Sequence, residues 1–387
     1  MSGFSPSLEI ERYIIIAACS SISRQEKSDR LRQLLCQPIR WKFLLDLADH
    51  HGVLPLLCQS LAGVHDAIPP DNLFPLMRSY QTNLQKALLL SRELIRIVDC
   101  LSELGIQVLP YKGLALAEAI YGDIALRQAG DIDLLVRPRD LPRVRDAVRE
   151  LRYTPHLSLS AAEERAYLNS GYEFAFDGPA GPNLLEVQWA IQPRFYAIDF
   201  DIAALFERAT ETTVAGHVVK TPSSEDLFLV LSAHAAKHVW GRLIWLCDIA
   251  RLTNLPTLNW SWIASQAKAL GIVRIVRVTM RLANRLLGTP IPPAAQANLP
   301  EDMSAAALAD DIQQHVAIDF SYNVESVSYF RLMMHLRERR PDRLRFLHRL
   351  LFTPGPGEWQ AVRLPASLFP LYALVRLSRL AARFIRA

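Results

Sequence analysis

Ile106-Gln-Val-Leu-Pro-Tyr-Lys-Gly113 and Gly130-Asp-Ile-Asp-Leu-Leu-Val136 are the two stretches that decide how this chain is read. The first is a short apolar run ending in Lys112-Gly113, and the Ala/Leu-rich segment Leu114 to Tyr121 after it has helical composition. The order is strand, tight turn, helix. In the second, Asp131 to Val136 alternates as a strand. Asp131, Asp133 and Leu135 fall on one face, Ile132, Leu134 and Val136 on the other. Two carboxylates on one face repel unless a cation is shared between them. Mg²⁺ takes oxygen ligands, needs only one or two carboxylates from a protein and completes its shell with water and phosphate oxygens, so the pair suits it. A solvated strand end shows the same pattern. Lys112-Gly113 at a strand-to-helix turn suits a phosphate: helix N-terminal amides, a glycine that allows close approach and a point charge. Taken alone it also reads as a glycine turn with an exposed lysine.

Outward from these stretches, Leu8 to about Ile95 repeats its apolar residues at helical spacing, with breaks at Pro38, Pro55 and Pro69-Pro70. Asn83 to Gly105 reads as one amphipathic helix with Leu90, Leu94, Ile97, Leu101 and Leu104 on one face. Leu141 to Leu151 is helical. Tyr172 to Phe176 with Leu184 to Ala190 forms one hairpin, and Thr212 to Thr221, turned at Ala215-Gly216, a second. Ser223 with Asp226 opens a helix carrying Leu227, Leu231, His234, His238 and Trp245. The expected architecture is a helix-rich α+β protein. A small mixed sheet (96–222) lies between an N-terminal helical region (1–95) and a C-terminal one with a basic tail (223–387).

Half of the 387 residues are hydrophobic, enough to bury a sizeable core. The five cysteines show no pairing and no zinc spacing, and the apolar run Tyr13 to Cys19 is too short to span a bilayer. A cytoplasmic protein without an integral membrane segment is expected. The net charge of +4 is uneven: Arg331 to Ala387 holds twelve Arg against three acids, +9, which leaves −5 elsewhere. Arg376, Arg379, Arg383 and Arg386 form a stripe opposed by Leu374, Leu377, Ala381 and Phe384. It reads as the solvated side of a docking helix, with contact to a membrane surface or nucleic acid left open.

Pro110-Tyr-Lys-Gly-Leu-Ala-Leu-Ala, Tyr121-Gly-Asp, Arg127 and Gly130-Asp-Ile-Asp-Leu-Leu-Val136 together resemble the signature of a family of uncharacterised bacterial nucleotidyltransferases in the DNA polymerase β-type superfamily. Trp41 to Leu57 and Leu227 to Leu252, the latter with His234-Ala-Ala-Lys-His238, Trp240, Arg242, Trp245 and Asp248, are similar to its flanking helical regions. The resemblance implies that Asp131, Asp133 and a third carboxylate, matched by Glu186, hold Mg²⁺ or Mn²⁺. Lys112, Gly113, Arg127, Lys237 and His238 would then meet a nucleoside triphosphate. Alternation sets Glu186 beside Gln188, opposite Leu185, Val187 and Trp189. This chain departs from the superfamily in its Lys-Gly turn and in Glu where Asp is common. His234 and His238, spaced i, i+4, also read as a zinc pair or as histidines packed on Trp240 and Trp245. The implied activity is transfer of a nucleoside monophosphate to an acceptor: a small metabolite, a peptide or protein, or an RNA end. A catalytically inactive nucleotide-binding or scaffold protein and a phosphoryl transferase are the alternatives.

Overall fold

The computed structural model describes residues 10–157, 159–179, 181–318 and 326–386. Five strands form a mixed sheet: β1 (Val108–Pro110), β2 (Ile132–Val136), β3 (Thr154–Pro155), β4 (Glu173–Gly178) and β5 (Gly181–Gln188). The order is β1-β2-β5-β4-β3, and β6 (Thr210–Val214) with β7 (His217–Thr221) makes a separate two-stranded sheet. The expected hairpins are β4–β5 and β6–β7, both antiparallel. β2 runs antiparallel to β1 and parallel to β5, with Asp133 opposite Glu186 and Ile132 opposite Leu185.

That register separates polar from apolar. Ile132, Leu134, Val136, Leu185 and Val187 are buried in one core together with Leu90, Leu94, Ile97 and Leu101 of the helix Pro70–Glu103 and Val144 and Val148 of Leu141–Glu150. Leu135, from the opposite face of β2, belongs to a second core. There the N-terminal helices (Ile14, Leu44, Leu57) meet Leu231, Leu246 and Val276 from the C-terminal half. The two helical regions, far apart in sequence, therefore merge in space. Burial of these two apolar cores is the main stabilising term here.

Three expectations are corrected. Strand β2 begins at Ile132, so Asp131 stands in the bend ahead of it. The helix opened by Ser223, whose hydroxyl accepts from the Asp226 amide, ends at Lys237, and Trp245 lies on the next helix, Leu243–Thr253. Between them Val239 (φ 51°) and Trp240 (φ 49°) adopt left-handed backbone without glycine. Burial of the Trp240 ring, whose indole N–H donates to Thr279 Oγ1 at 2.9 Å, holds this costly turn in place.

The third correction concerns the basic tail. Along the helix Tyr372–Arg386, Arg376 is buried while Leu374 is 60 % exposed. The buried carboxylate of Glu358 draws Arg376 (3.1 Å) and Arg379 (3.3 Å) inward. The side chains of Arg383 and Arg386 lie outside the described residues. Among the described residues no helix is long and apolar enough to cross a membrane.

Candidate active site

A cavity of about 670 Å³ opens on the polar face of β2 and β5. Asp131, Asp133, Glu186, Lys112, Gly113, Arg127, Lys237 and His238 all line it. Asp133 and Glu186 are neighbours by strand register, on the same face of a parallel pair, so their carboxylates stand side by side. Asp131 stands two residues before Asp133, in the bend ahead of β2.

The Lys112-Gly113 turn is held against this acidic edge. Lys112 is the cap residue of the helix Gly113–Tyr121, and its ammonium donates to Asp133 Oδ1 at 2.8 Å. Gly113 has φ +52°, and a Cβ there would come within 3.3 Å of the Asp131 carbonyl oxygen. Both facts demand glycine: an L side chain would be strained and would push the turn off the aspartate loop.

Electrostatics follows from crowding. Burial, then repulsion from Asp133, pushes the Asp131 carboxyl up to about 6. Burial together with Asp133, Glu173 and Asp131 pushes Glu186 up to about 8. Lys112 responds the other way: burial alone would lower it, but the Asp133 carboxylate outweighs that and holds it well above the usual lysine range. Across the cavity, burial and the charge of Lys112 bring Lys237 down to about 8, although Glu173, Glu186 and Asp133 oppose the shift. Its ammonium sits 5.1 Å from the centre of the Tyr172 ring.

His234 and His238 pack their rings 4.9 Å apart and each about 5 Å from Trp245, at 5.3 and 5.2 Å. Burial and the nearby lysines keep both neutral, His238 down at about 3. The packed reading of the pair describes this geometry. Arg127 is buried and its guanidinium forks onto Asp248, Nε to Oδ1 at 3.0 Å and Nη2 to Oδ2 at 2.9 Å, with the Tyr121 hydroxyl on the same carboxylate at 2.9 Å. It borders the cavity as half of an ion pair with Asp248.

Further residues line the same cavity. Glu173 on β4 faces Gln188 in register and adds a fourth carboxylate, itself pushed up by burial. Asp46, Asp49 and His50 reach the cavity from the helix Trp41–His50, and Lys86 from Pro70–Glu103. Gly52 (φ +70°) brings the N-terminal region into place, since a Cβ there would lie 3.1 Å from Ile244 Cγ2. Strand alternation marks Glu173; the helical residues give no local signal.

The donor set is carboxylate oxygen throughout, which suits a hard divalent cation better than a soft one. Among the described residues no three carboxylate, histidine or cysteine groups gather as a ready-made metal cluster. Asp133 instead accepts from Lys112 and from the Gln188 amide. The fit is one of chemistry: Asp131, Asp133 and Glu186 could hold such an ion, with a cationic wall facing them.

The model of a family described as uncharacterised nucleotidyltransferase matches residues 37–288, a span that contains every residue named above as lining the cavity. Comparison with the curated proteins gives no match, and neither does comparison with the solved structures.

Proposed function

Because the chain belongs to this family of uncharacterised nucleotidyltransferases, we propose that it transfers a nucleoside monophosphate from a nucleoside triphosphate to an acceptor and releases pyrophosphate. The observation that carries this reading is the pairing of Asp133 with Glu186 on one sheet face, with Lys112 bonded to Asp133 at the mouth of a glycine turn. A mixed sheet bearing Asp133 and Glu186, with Asp131 in the bend ahead of it and such a turn beside it, supports the polymerase β-type relationship.

In this reading Asp131, Asp133 and Glu186 hold a divalent cation, Mg²⁺ or Mn²⁺, which when bound supplies charge neutralisation at the phosphates. Lys112 and the amides at the start of Gly113–Tyr121 receive the phosphate chain. Lys237, close to its own titration point, adds or withdraws positive charge on the far wall, and neutral His238 offers a hydrogen bond. Arg127 acts through Asp248, holding the Leu243–Thr253 helix and so the cavity wall. The acceptor atom bonds to the α-phosphorus, the α–β bridge breaks, and the acceptor proton is lost as pyrophosphate leaves. A cavity of about 670 Å³ is in the range for small ligands, which favours an acceptor that enters whole or presents one end. Walls from all three segments of the chain make residues 37–288 the working unit.

Nucleoside triphosphate labelled at the α or the γ phosphorus, incubated with protein, Mg²⁺ and a cell extract, tests the reading. α label recovered in a small-molecule, protein or RNA fraction, with pyrophosphate released, is expected. γ label in the acceptor would establish phosphoryl transfer, and binding without transfer of either label would mean a nucleotide-binding protein without turnover.

A further inference from the structure

Gln188 stands at the centre of the acidic face, 1 % exposed. It follows Glu186 by two residues on β5, so both side chains leave the strand on the same side, and Glu173 of β4 is its cross-strand partner. Its amide nitrogen lies 2.9 Å from Glu186 Oε2, 3.1 Å from Asp133 Oδ1 and 3.2 Å from Glu173 Oε2. Its amide oxygen accepts from the buried Tyr111 hydroxyl. Burial, above all, raises the Tyr111 phenol, so it stays a donor. This decides which way the amide points. Turned over, its oxygen would face three carboxylates and its nitrogen a phenol proton.

A primary amide carries two hydrogens. Here three carboxylates from three adjacent strands share them. The amide has no net charge and cannot neutralise the cluster as Lys112 does. What it can do is tie the carboxylates to fixed places, so that their repulsion does not turn them away from one another.

We infer that Gln188 is a positioning residue, whose amide holds Asp133 and Glu186 at the spacing from which they take up a divalent cation. The inference rests on the cation reading given under Proposed function. Gln188 acts through the carboxylates it bonds, and Tyr111 acts through Gln188. Without the amide, a cation must gather the ligands itself, and its affinity falls by that cost even though every ligand is still present.

The test is Mn²⁺ binding to the 387-residue chain without nucleotide, followed by titration calorimetry and by the loss of the free Mn²⁺ resonance signal. Parent, Asp133→Ala, Gln188→Met and Tyr111→Phe are compared, with circular dichroism checking the fold. Gln188→Met keeps the length of the side chain and removes the amide. It should weaken Mn²⁺ binding by about tenfold or more, the usual effect of losing a group that orients a ligand, and Tyr111→Phe should weaken it less, in the same direction. Parental affinity in both would overturn the role of Gln188 while leaving the cation site standing, provided Asp133→Ala has lost it. Equal binding by parent and Asp133→Ala would overturn the cation site and the role of Gln188 together. Should Gln188→Met fail to fold, the Tyr111→Phe variant, which removes one oxygen, decides: affinity within twofold of the parent overturns the proposal.

Discussion

The ammonium of Lys112 and the carboxylate of Asp133 are 2.8 Å apart, on side chains 14 % and 5 % exposed, so the two conserve each other's charge in a place where neither would be stable alone. Among the described residues Asp131 has no such bonded partner, and burial and then the Asp133 charge push it up. The two aspartates of Asp131-Ile-Asp133 are thus not equivalent.

Removing them should have opposite effects on stability and the same effect on binding. Asp133→Ala leaves Lys112 buried and unpaired and should cost about 3 kcal/mol, the lower end of the range for a broken buried pair. Asp131→Ala relieves repulsion and should leave stability within about 0.5 kcal/mol of the parent or raise it. Both should lose Mg²⁺-dependent triphosphate binding. Urea denaturation in metal-free buffer separates the two, and an equal loss in both variants would contradict the pairing.

Lys112→Ala should weaken triphosphate binding more than monophosphate binding, by about 1.5 to 3 kcal/mol for a hydrogen bond with charged partners. Arginine should restore only part, because its planar fork does not replace a compact ammonium beside Gly113. Calorimetric titration of both nucleotides at one salt concentration reads the ratio. A ratio equal to the parent's would take Lys112 out of phosphate recognition.

The buried pair Arg127–Asp248 should behave as a structural unit. Either single change, Arg127→Met or Asp248→Leu, strands a charge and should cost about 3 to 5 kcal/mol. The double variant should recover most of that loss. The measurement is a double-mutant cycle by denaturation; additive losses would show that the two residues do not depend on each other.

Lys237 titrates at about 8 in the folded protein, below the ordinary lysine value, because burial and Lys112 disfavour its charge. Between that value and about 10.5 the unfolded chain binds the proton that the folded one has released, so stability gained from this group rises with pH across the window. Below pH 8 the penalty is fully present. Lys237→Met should therefore be more thermostable than the parent at pH 7 to 8, with the difference shrinking toward pH 10.5. Melting curves across this range check the trend, and a difference that does not vary with pH would mean that Lys237 is not held in a disfavoured charge state.

Much of the polar face of the sheet was legible beforehand, since alternation on a strand decides sides without any tertiary information. Asp133 with Leu135, and Glu186 with Gln188, fall on the sides that the period of two requires. The break after Lys237 was not legible. Val239 and Trp240 take the left-handed conformation that glycine adopts most easily, and only the buried Trp240 ring makes that turn affordable. The arginine stripe of the last helix misled for a related reason: a charge turns inward when a buried carboxylate such as Glu358 waits for it.

By itself the sequence determined the local grammar: the helices, the two hairpins, the Lys-Gly turn ahead of a helix and the strand carrying Asp133. These depend on periods of 3.6 and 2 and on glycine's freedom, which are properties of neighbouring residues. Tertiary structure alone decided that β2 and β5 pair in parallel with Asp133 opposite Glu186. It also put Lys112 on Asp133, bound Arg127 to Asp248 and brought Asp46 and Asp49 from a remote helix to the same cavity. The reason is physical: strand register and helix docking are chosen by burying two apolar cores at once, a global minimum in which each polar residue settles wherever its charge is answered.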